Sequence, residues 1–188
     1  MYRQRFYDVI RTPLFGGTLT QSQVEGCEYL LDYAELHEPP LDLRQVAYIL
    51  ATVLHETART MQPIAEYGHG AGYPYGVPDP ETGESYFGRG YVQLTWKNNY
   101  AYQGAKLQLP LVTTPDLALQ PGPAARILYE GMCDGDFTGL GLGEYIDAAQ
   151  CDYTHARQVV NGLDCAEQIA GYAVVFQEAL VQATCPCV

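Results

Sequence analysis

The sequence predicts a mainly α-helical domain of the α+β type, with a small β element and a long glycine- and tyrosine-rich loop. Three observations support this fold class. Apolar residues recur at helical spacing in several segments, and capping residues precede them. That periodicity disappears between residues 62 and 90. A chain of 188 residues with 47% hydrophobic content is long enough to bury one core. We therefore expect a single domain over residues 1–188.

Two helices are predicted before residue 40. The first covers residues 3–12 and ends before Pro13, because proline lacks the N–H group that continues a helix. The second begins at Thr20, since Thr20 and Gln23 have the spacing of a capping box, and it ends before Pro39. A third helix is expected to begin where Asp42 and Gln45 form a similar pair.

The third helix carries Glu56 near its end, and Pro63 breaks the segment that follows. At about 100° per residue, Glu56 lies at the margin of one apolar stripe. A carboxyl group there leans into a cleft and loses part of its water, which raises the pKa as a general acid requires. The stripe is formed by Val46, Ile49, Leu50, Val53 and Leu54.

Glu66 follows the proline, so it belongs to a loop and can face Glu56 across a gap. Two carboxyl groups in different environments are the minimum for acid/base hydrolysis of a glycosidic bond. The alternative is a helix end with two solvated acids, and the pattern alone favours that alternative.

The loop of residues 62–90 is expected to be functional, because long unstructured stretches inside compact domains usually are. A tyrosine ring can stack on a sugar ring, although it can equally pack the loop against the body. Residues 79–83 read as a turn at a hairpin tip. The aromatic residues concerned are Tyr67, Tyr73, Tyr75, Tyr86 and Phe87.

Short extended structure is predicted over residues 85–94, and Thr95 is expected to cap a helix through Lys106. Residues 110–121 read as loop. The remaining helices are predicted from Pro123 to Met132, from Asp152 to Asn161, and after Asp164, which pairs with Glu167 as a cap. The last helix presents the face Ile169, Tyr172, Ala173, Phe176 and Leu180.

The charge balance excludes two classes of partner. With 22 acidic and 10 basic residues, the net charge is −12, so nucleic acid and anionic membrane are poor partners. His55-Glu56 lacks the second histidine of a zinc-protease motif, because position 59 is Arg. We expect no metal and no cofactor. The six cysteines lack a framework-like spacing, which favours free thiols, with one bridge left open.

Two segments carry a family resemblance. Residues 86–100 (YFGRGYVQLTWKNNY), preceded by His-Glu-Thr at 55–57, resemble the family 19 glycoside hydrolases, which include chitinases and phage-type endolysins. Weaker similarity covers residues 117–125, 159–162 and 169–172. The overall arrangement is most similar to the compact prophage-type members.

The resemblance implies a lysozyme-like fold, an inverting mechanism and a set of site residues. The general acid would be Glu56, the general base Glu66, and the residue that holds the attacking water Thr95. Sugar-binding residues would be Tyr86, Gln93, Asn99 and Asn161. Glu81 and Glu84 compete with Glu66 for the base, because loop length varies in this family.

Two further positions are weighed against the family pattern. Several members carry an Arg before the last helix, whereas this chain has Gln168, so an ion pair from that position to the acids is in doubt. Arg89 lies between two glycines, and we expect it to tie down the loop.

The expected function is hydrolysis of β-1,4 bonds in a polymer that contains N-acetylglucosamine. Peptidoglycan is the first choice, with the chain acting as a monomeric endolysin that has no signal peptide and stays cytoplasmic until released. Chitin is the alternative, and the acidic charge favours it slightly because chitin is nearly neutral. A catalytically silent glycan-binding module is the alternative from another class.

Overall fold

The computed structural model describes residues 1–185, and within them the chain is mostly helical with one two-stranded sheet. The α-helices are α1 (Arg3–Phe15), α2 (Gln21–Leu36), α3 (Leu43–Glu56), α4 (Lys97–Leu107), α5 (Pro121–Asp134) and α6 (Ala166–Thr184). The strands are β1 (Ile64–Ala65) and β2 (Arg89–Gly90), and four 3-10 turns cover Pro74–Gly76, Pro115–Leu119, Leu142–Glu144 and His155–Val159. The predicted fold class is confirmed.

Helix α3 is the centre of the core. Its nine consecutive residues 46–54 are all buried, so the helix is covered on every side and not only along the predicted stripe. It packs mainly against α6, which in turn packs against α1, where the Phe6 and Phe176 rings stack at 6.1 Å. A helix that is apolar all round belongs in the interior of a domain. This burial fixes the position of its last residue, Glu56.

Helix α1 continues through Pro13, so the predicted stop before that residue is wrong. Pro13 lies in the last turn, where the missing N–H removes only one intrahelical bond. The helix ends at Gly16, whose left-handed backbone (φ +65°) lets the N–H groups of Gly16 and Gly17 bond to the carbonyls of Thr12 and Arg11. Glycine adopts this conformation without steric cost.

For both helix caps predicted before the loop, the first residue of the pair occupies the cap position. The capping box of Thr20 and Gln23 is confirmed. Asp42 caps α3 by accepting from the Arg44 N–H, but Gln45 does not complete a box, because its amide donates to the Ile146 carbonyl at 2.8 Å.

Helix α3 ends at Glu56, well before Pro63. The Thr57 hydroxyl donates to the Val53 carbonyl at 2.7 Å and accepts from the Met61 N–H at 3.2 Å. These bonds turn the chain away from the helix without any contribution from the proline. Glu56 is therefore the terminal residue of the most deeply buried helix.

The strands β1 and β2 pair antiparallel, with Ile64 opposite Gly90, and so close the loop of residues 66–88 at its base. The turn at Asp79 is confirmed by a 2.8 Å bond from the Gly83 N–H to the Asp79 carbonyl. No strand directly adjoins that turn within residues 1–185, so it is not a hairpin tip.

Several later boundaries differ from the predictions. Thr95 does not cap α4, which begins two residues later with Trp96 in the cap position. Part of the predicted loop 110–121 forms the 3-10 turn Pro115–Leu119, and the segment after Asp152 is a 3-10 turn instead of an α-helix. Asp164 does not cap α6; the cap position belongs to Cys165, and the Asp164 carbonyl accepts from Arg157 at 3.1 Å.

Five of the six cysteines are free thiols: Cys27, Cys133, Cys151, Cys165 and Cys185. Cys187 lies outside the described residues, so the prediction of free thiols stays a prediction there. Within residues 1–185, no helix has the length and apolarity needed to cross a bilayer.

Candidate active site

A groove of about 390 Å³ brings together five of the predicted site residues. Its wall combines the end of α3, the segment before and at the start of α4, and the chain near residue 160. The predicted residues on the groove are Glu56, Gln93, Thr95, Asn99 and Asn161; the other lining residues are Tyr75, Val92, Leu94, Trp96, Phe137 and Val160.

Glu56 is held by an ion pair from a distant part of the chain. Its Oε1 accepts from Arg157 Nη1 at 2.6 Å, and the Glu56 and Arg157 side chains are only 17% and 3% exposed. A second bond joins Arg157 Nε to the Asp164 carbonyl. Glu56 also sits at the C-terminal end of α3, where the helix dipole disfavours a negative charge. The guanidinium offsets that effect and fixes the carboxyl group at the groove.

Arg157, which pairs with Glu56, is a residue of the candidate site that the sequence prediction missed. The only signal in the sequence was that Arg157 is the single lysine or arginine of its region, because no other occurs after residue 126. Gln168, which stands where several family members carry an Arg, is exposed on α6 and has no charge to pair with Glu56. The ion pair to Glu56 is nevertheless present, and it comes from the 3-10 turn that precedes Asn161 instead of from α6.

Glu66 follows directly after β1, and each of its carboxyl oxygens accepts one hydrogen bond. Oε1 accepts from the Tyr75 hydroxyl and Oε2 from the Gly88 N–H, both at 3.1 Å. Burial and the bond to Glu66 both raise the pKa of Tyr75, with burial the larger cause, so this hydroxyl stays a donor. The Glu66 N–H donates to the Gly88 carbonyl at 2.7 Å, which ties its backbone to the same glycine.

Gly88 is the point where Glu66 comes close to two residues that line the groove, Gln93 and Thr95. A methyl group on its Cα would lie 2.8 Å from Gln93 Oε1 and 3.4 Å from both Glu66 Cβ and Thr95 Oγ1. Three predicted site residues thus converge on one glycine. A side chain at position 88 would push them apart, which gives this glycine a steric requirement.

The polar groove residues also hold the local backbone. The Thr95 hydroxyl donates to the Gln93 carbonyl at 2.8 Å and keeps its lone pairs for accepting. The Gln93 amide donates to the carbonyls of Ile64 and Gly90 at 3.0 and 3.2 Å. The Asn99 amide donates to the Thr95 carbonyl at 2.8 Å. These bonds fix the side chains before any ligand arrives.

Tyr86 does not line the groove. It is 3% exposed, and its hydroxyl donates to the Val112 carbonyl at 2.9 Å and lies 2.8 Å from the Thr82 hydroxyl. The structure therefore gives Tyr86 a packing position instead of the predicted flank of the cleft. The aromatic residues that do line the groove are Tyr75, Trp96 and Phe137.

The two competing acids belong to the Asp79 turn. Glu81 pairs with Lys97 at 2.9 Å and its side chain is 81% exposed, while Glu84 is half-buried. Neither residue lines the groove, and neither does Glu66, but Glu66 lies against Gly88 beside the groove residues Gln93 and Thr95. This geometry favours Glu66 as the base, and that role stays a prediction.

Arg89 has the structural role that was expected. The side chain is 4% exposed; Nε pairs with Asp116 at 2.8 Å, and Nη1 donates to the Ser85 carbonyl and to the Tyr100 hydroxyl. The guanidinium therefore ties the end of the loop to α4. In the described part of the chain, no three His, Cys, Asp or Glu residues cluster as metal ligands would.

Comparison with known proteins gives matches in sequence and in fold, although no protein-family model matches the chain. An endochitinase of Arabidopsis thaliana is 37% identical over 123 residues, covering 65% of this chain and 40% of the relative. An acidic endochitinase of Populus trichocarpa is 28% identical over 126 residues, covering 60% of this chain and 37% of the relative. The chain thus spans about two fifths of the length of these relatives.

Among solved structures, chitinase C of Streptomyces griseus HUT6037 has a TM-score of 0.61 with this chain at 21% identity. The match covers 98% of this chain and 94% of chitinase C, so the two share a fold over nearly their whole length. The resemblance to the family 19 glycoside hydrolases that the motifs predict is therefore confirmed, by the endochitinases in sequence and by chitinase C in fold.

Proposed function

We propose that this chain is a glycosidase that hydrolyses β-1,4 bonds in a chitin-like polymer of N-acetylglucosamine. One observation carries the proposal: Glu56 and the Gln93–Thr95 segment face one groove, and Glu66 lies against that segment at Gly88. The endochitinase relatives support the substrate class.

The residues divide the reaction between the two sides of the groove. Glu56 gives a proton from Oε2, the oxygen that does not bond to Arg157, to the leaving sugar oxygen as the glycosidic bond breaks. Glu66 takes a proton from the water whose oxygen forms the new bond to the sugar carbon. Thr95, whose hydroxyl proton is already committed to the Gln93 carbonyl, holds that water by accepting from it. An inverting enzyme needs space for the water, so we expect the two carboxyl groups to be roughly 6.5–9.5 Å apart in the working complex.

Chitin is the substrate that the comparisons favour, since both plant relatives are named as endochitinases. The net charge of −12 points the same way, because chitin is nearly neutral and the bacterial wall is anionic. Peptidoglycan, the first choice from the sequence, contains the same β-1,4-linked sugar and remains the second candidate.

A paired assay tests the proposal. Colloidal chitin and outer-membrane-stripped bacteria are incubated with equal amounts of enzyme, and soluble sugar and turbidity are followed. We expect release of sugar from chitin, with inverted anomers by NMR at early times. Lysis without chitin hydrolysis would replace chitin by peptidoglycan. Binding without either activity would make the chain a glycan-binding module.

A further inference from the structure

Trp96 places an exposed indole ring at the groove, next to the residues proposed to act on the water. It is the only tryptophan of the chain, and 50% of its surface is exposed. Trp96 lines the groove together with its neighbour Thr95 and with Asn99. A large aromatic side chain in this position leaves apolar surface in contact with water, beside polar groups that could orient a ligand.

The backbone holds Trp96 in a conformation that a bulky residue rarely adopts. Its φ is +75°, in the left-handed half of conformational space where a residue of this size is an outlier. The conformation is locked by a 2.8 Å bond from the Trp96 N–H to the Tyr86 carbonyl, and by bonds from the Asn99 and Tyr100 N–H groups to the Trp96 carbonyl. Strain that the surrounding structure maintains is concentrated at functional sites.

A second aromatic residue buttresses the indole. The Tyr75 ring meets the Trp96 ring edge-on, with centroids 5.1 Å apart and planes at 79°. On another side, Tyr75 stacks on Tyr73 at 5.2 Å, and its hydroxyl donates to Glu66. The indole is thus in contact with the residue that holds the Glu66 carboxyl group.

We propose that Trp96 is a sugar-binding platform, on which one N-acetylglucosamine ring of the polymer stacks at the Glu66 side of the groove. The inference rests on the proposed function and adds a binding residue to it. The apolar face of a neutral sugar ring covers the indole, while the ring hydroxyls and the acetamido group reach the polar groove residues. The rigid indole presents this surface without a loss of side-chain freedom on binding.

The single tryptophan makes the test direct, because all indole emission comes from position 96. Tetra-N-acetylchitotetraose is titrated into the Glu56→Gln variant, which prevents turnover, and binding is measured in parallel by calorimetry. We expect a saturable change in emission whose midpoint equals the calorimetric Kd. Saturable binding without an emission change would overturn the proposal.

Kinetics of the active enzyme provide the second readout. Trp96→Ala is expected to raise KM about tenfold, equivalent to ~1.4 kcal/mol, with a smaller change in kcat. Trp96→Phe keeps a ring and should raise KM about threefold. The matched control is Tyr102→Ala. Tyr102 belongs to α4, the helix that Trp96 precedes; it is 54% exposed and does not line the groove. The KM of this variant should be unchanged.

The outcomes separate this inference from the proposed function. Hydrolysis with normal KM in both Trp96 variants would leave the function intact and remove the platform. An emission change without hydrolysis by the unmodified chain would leave the platform intact and remove the glycosidase. A loss of kcat alone would show that Trp96 acts only by supporting Tyr75. If Trp96→Ala lowers the Tm, the Trp96→Phe kinetics and the titration decide.

Discussion

The two carboxyl groups of the candidate site are held by different means. Glu56 ends a helix whose preceding residues are buried, and a guanidinium from 101 positions along the chain pairs with it. Glu66 lies on the base of a long loop, and its carboxyl accepts two uncharged donors, the Tyr75 hydroxyl and the Gly88 N–H. The core fixes the proposed acid, whereas local loop contacts fix the proposed base.

Because of this difference, we expect the two sides of the site to respond differently to substitution. Changes that loosen the loop should act on the Glu66 side and leave the Glu56 side in place. Changes at the Glu56 side act on the core, because Arg157 and α3 are buried there. Substitutions on the two sides are therefore expected to differ in stability even where they have the same effect on rate.

The largest effect is expected for Glu56→Gln. Loss of the proton donor should reduce kcat by a factor of about 10²–10⁴, while oligosaccharide binding stays near normal. The assay is chitin hydrolysis at one pH, with near-ultraviolet circular dichroism as the control for folding. Retention of more than about half of the activity would remove Glu56 from the acid role.

Glu66→Gln should depress the rate about as severely if Glu66 is the base. The amide oxygen can accept from the Gly88 N–H while the NH2 group donates to the Tyr75 hydroxyl oxygen, so the shape is kept and stability should change little. Glu84→Gln is the matched control, since Glu84 belongs to the same loop but to its Asp79 turn, where the Glu84 carbonyl accepts from the Asp79 N–H. A dead Glu84→Gln enzyme beside an active Glu66→Gln enzyme would move the base to the Asp79 turn.

Arg157→Ala is expected to affect stability most. It leaves the poorly exposed Glu56 carboxyl without its partner, at a cost of about 3 kcal/mol in the free energy of unfolding. Urea unfolding measures this, and the double variant with Glu56→Gln should recover part of the loss. Arg126→Ala is the control, because its pair with Glu130 is more exposed and should contribute less than about 1 kcal/mol. Equal losses for both arginines would contradict the assignment.

The smallest effect concerns the Lys97 contacts that hold the loop. Lys97 Nζ lies 2.9 Å from both Asp79 and Glu81, and its hydrogen bond lowers the pKa of Asp79 below the ordinary 3.8. A lowered carboxyl pKa stabilises the fold above the ordinary value and loses that contribution as the pH falls through the folded value. Lys97→Met should therefore lower the Tm slightly at pH 7 and not at pH 2. An equal Tm difference at both values would mean that Lys97 acts through packing alone.

The sequence predicted what local patterns encode. Helical spacing located α3 and placed Glu56 at its margin, and the Thr20 capping box was readable from two residues. The helix and the cap depend on neighbours within one or two turns of chain, which explains why a single sequence reveals them. Gln93, Thr95 and Asn99 were expected together only because residues 86–100 resemble the family 19 glycoside hydrolases, and all three line the groove.

What the sequence did not predict depends on distant contacts. Trp96 and Cys165 cap their helices with positive φ angles, a conformation that residue propensity does not favour. Asp164 does not cap α6 as predicted, since the cap position belongs to Cys165 and the Asp164 carbonyl accepts from Arg157. The Arg157–Glu56 pair joins elements that are far apart in the sequence, so it became visible only when the chain was folded.

The contact near the first and last helices makes a circular permutation of the chain feasible. The Tyr2 N–H donates to the Ala183 carbonyl at 2.8 Å, so residues near the two ends are neighbours in space. Helix α6, with 19 residues, spans roughly 28 Å between Asp164 and this contact. A short linker between residues 185 and 1, with new ends opened at the Thr82–Gly83 peptide, would give a circular permutant with every core helix uncut. The loop that holds Glu66 would then consist of two separate tails, joined to the body through β1 and β2.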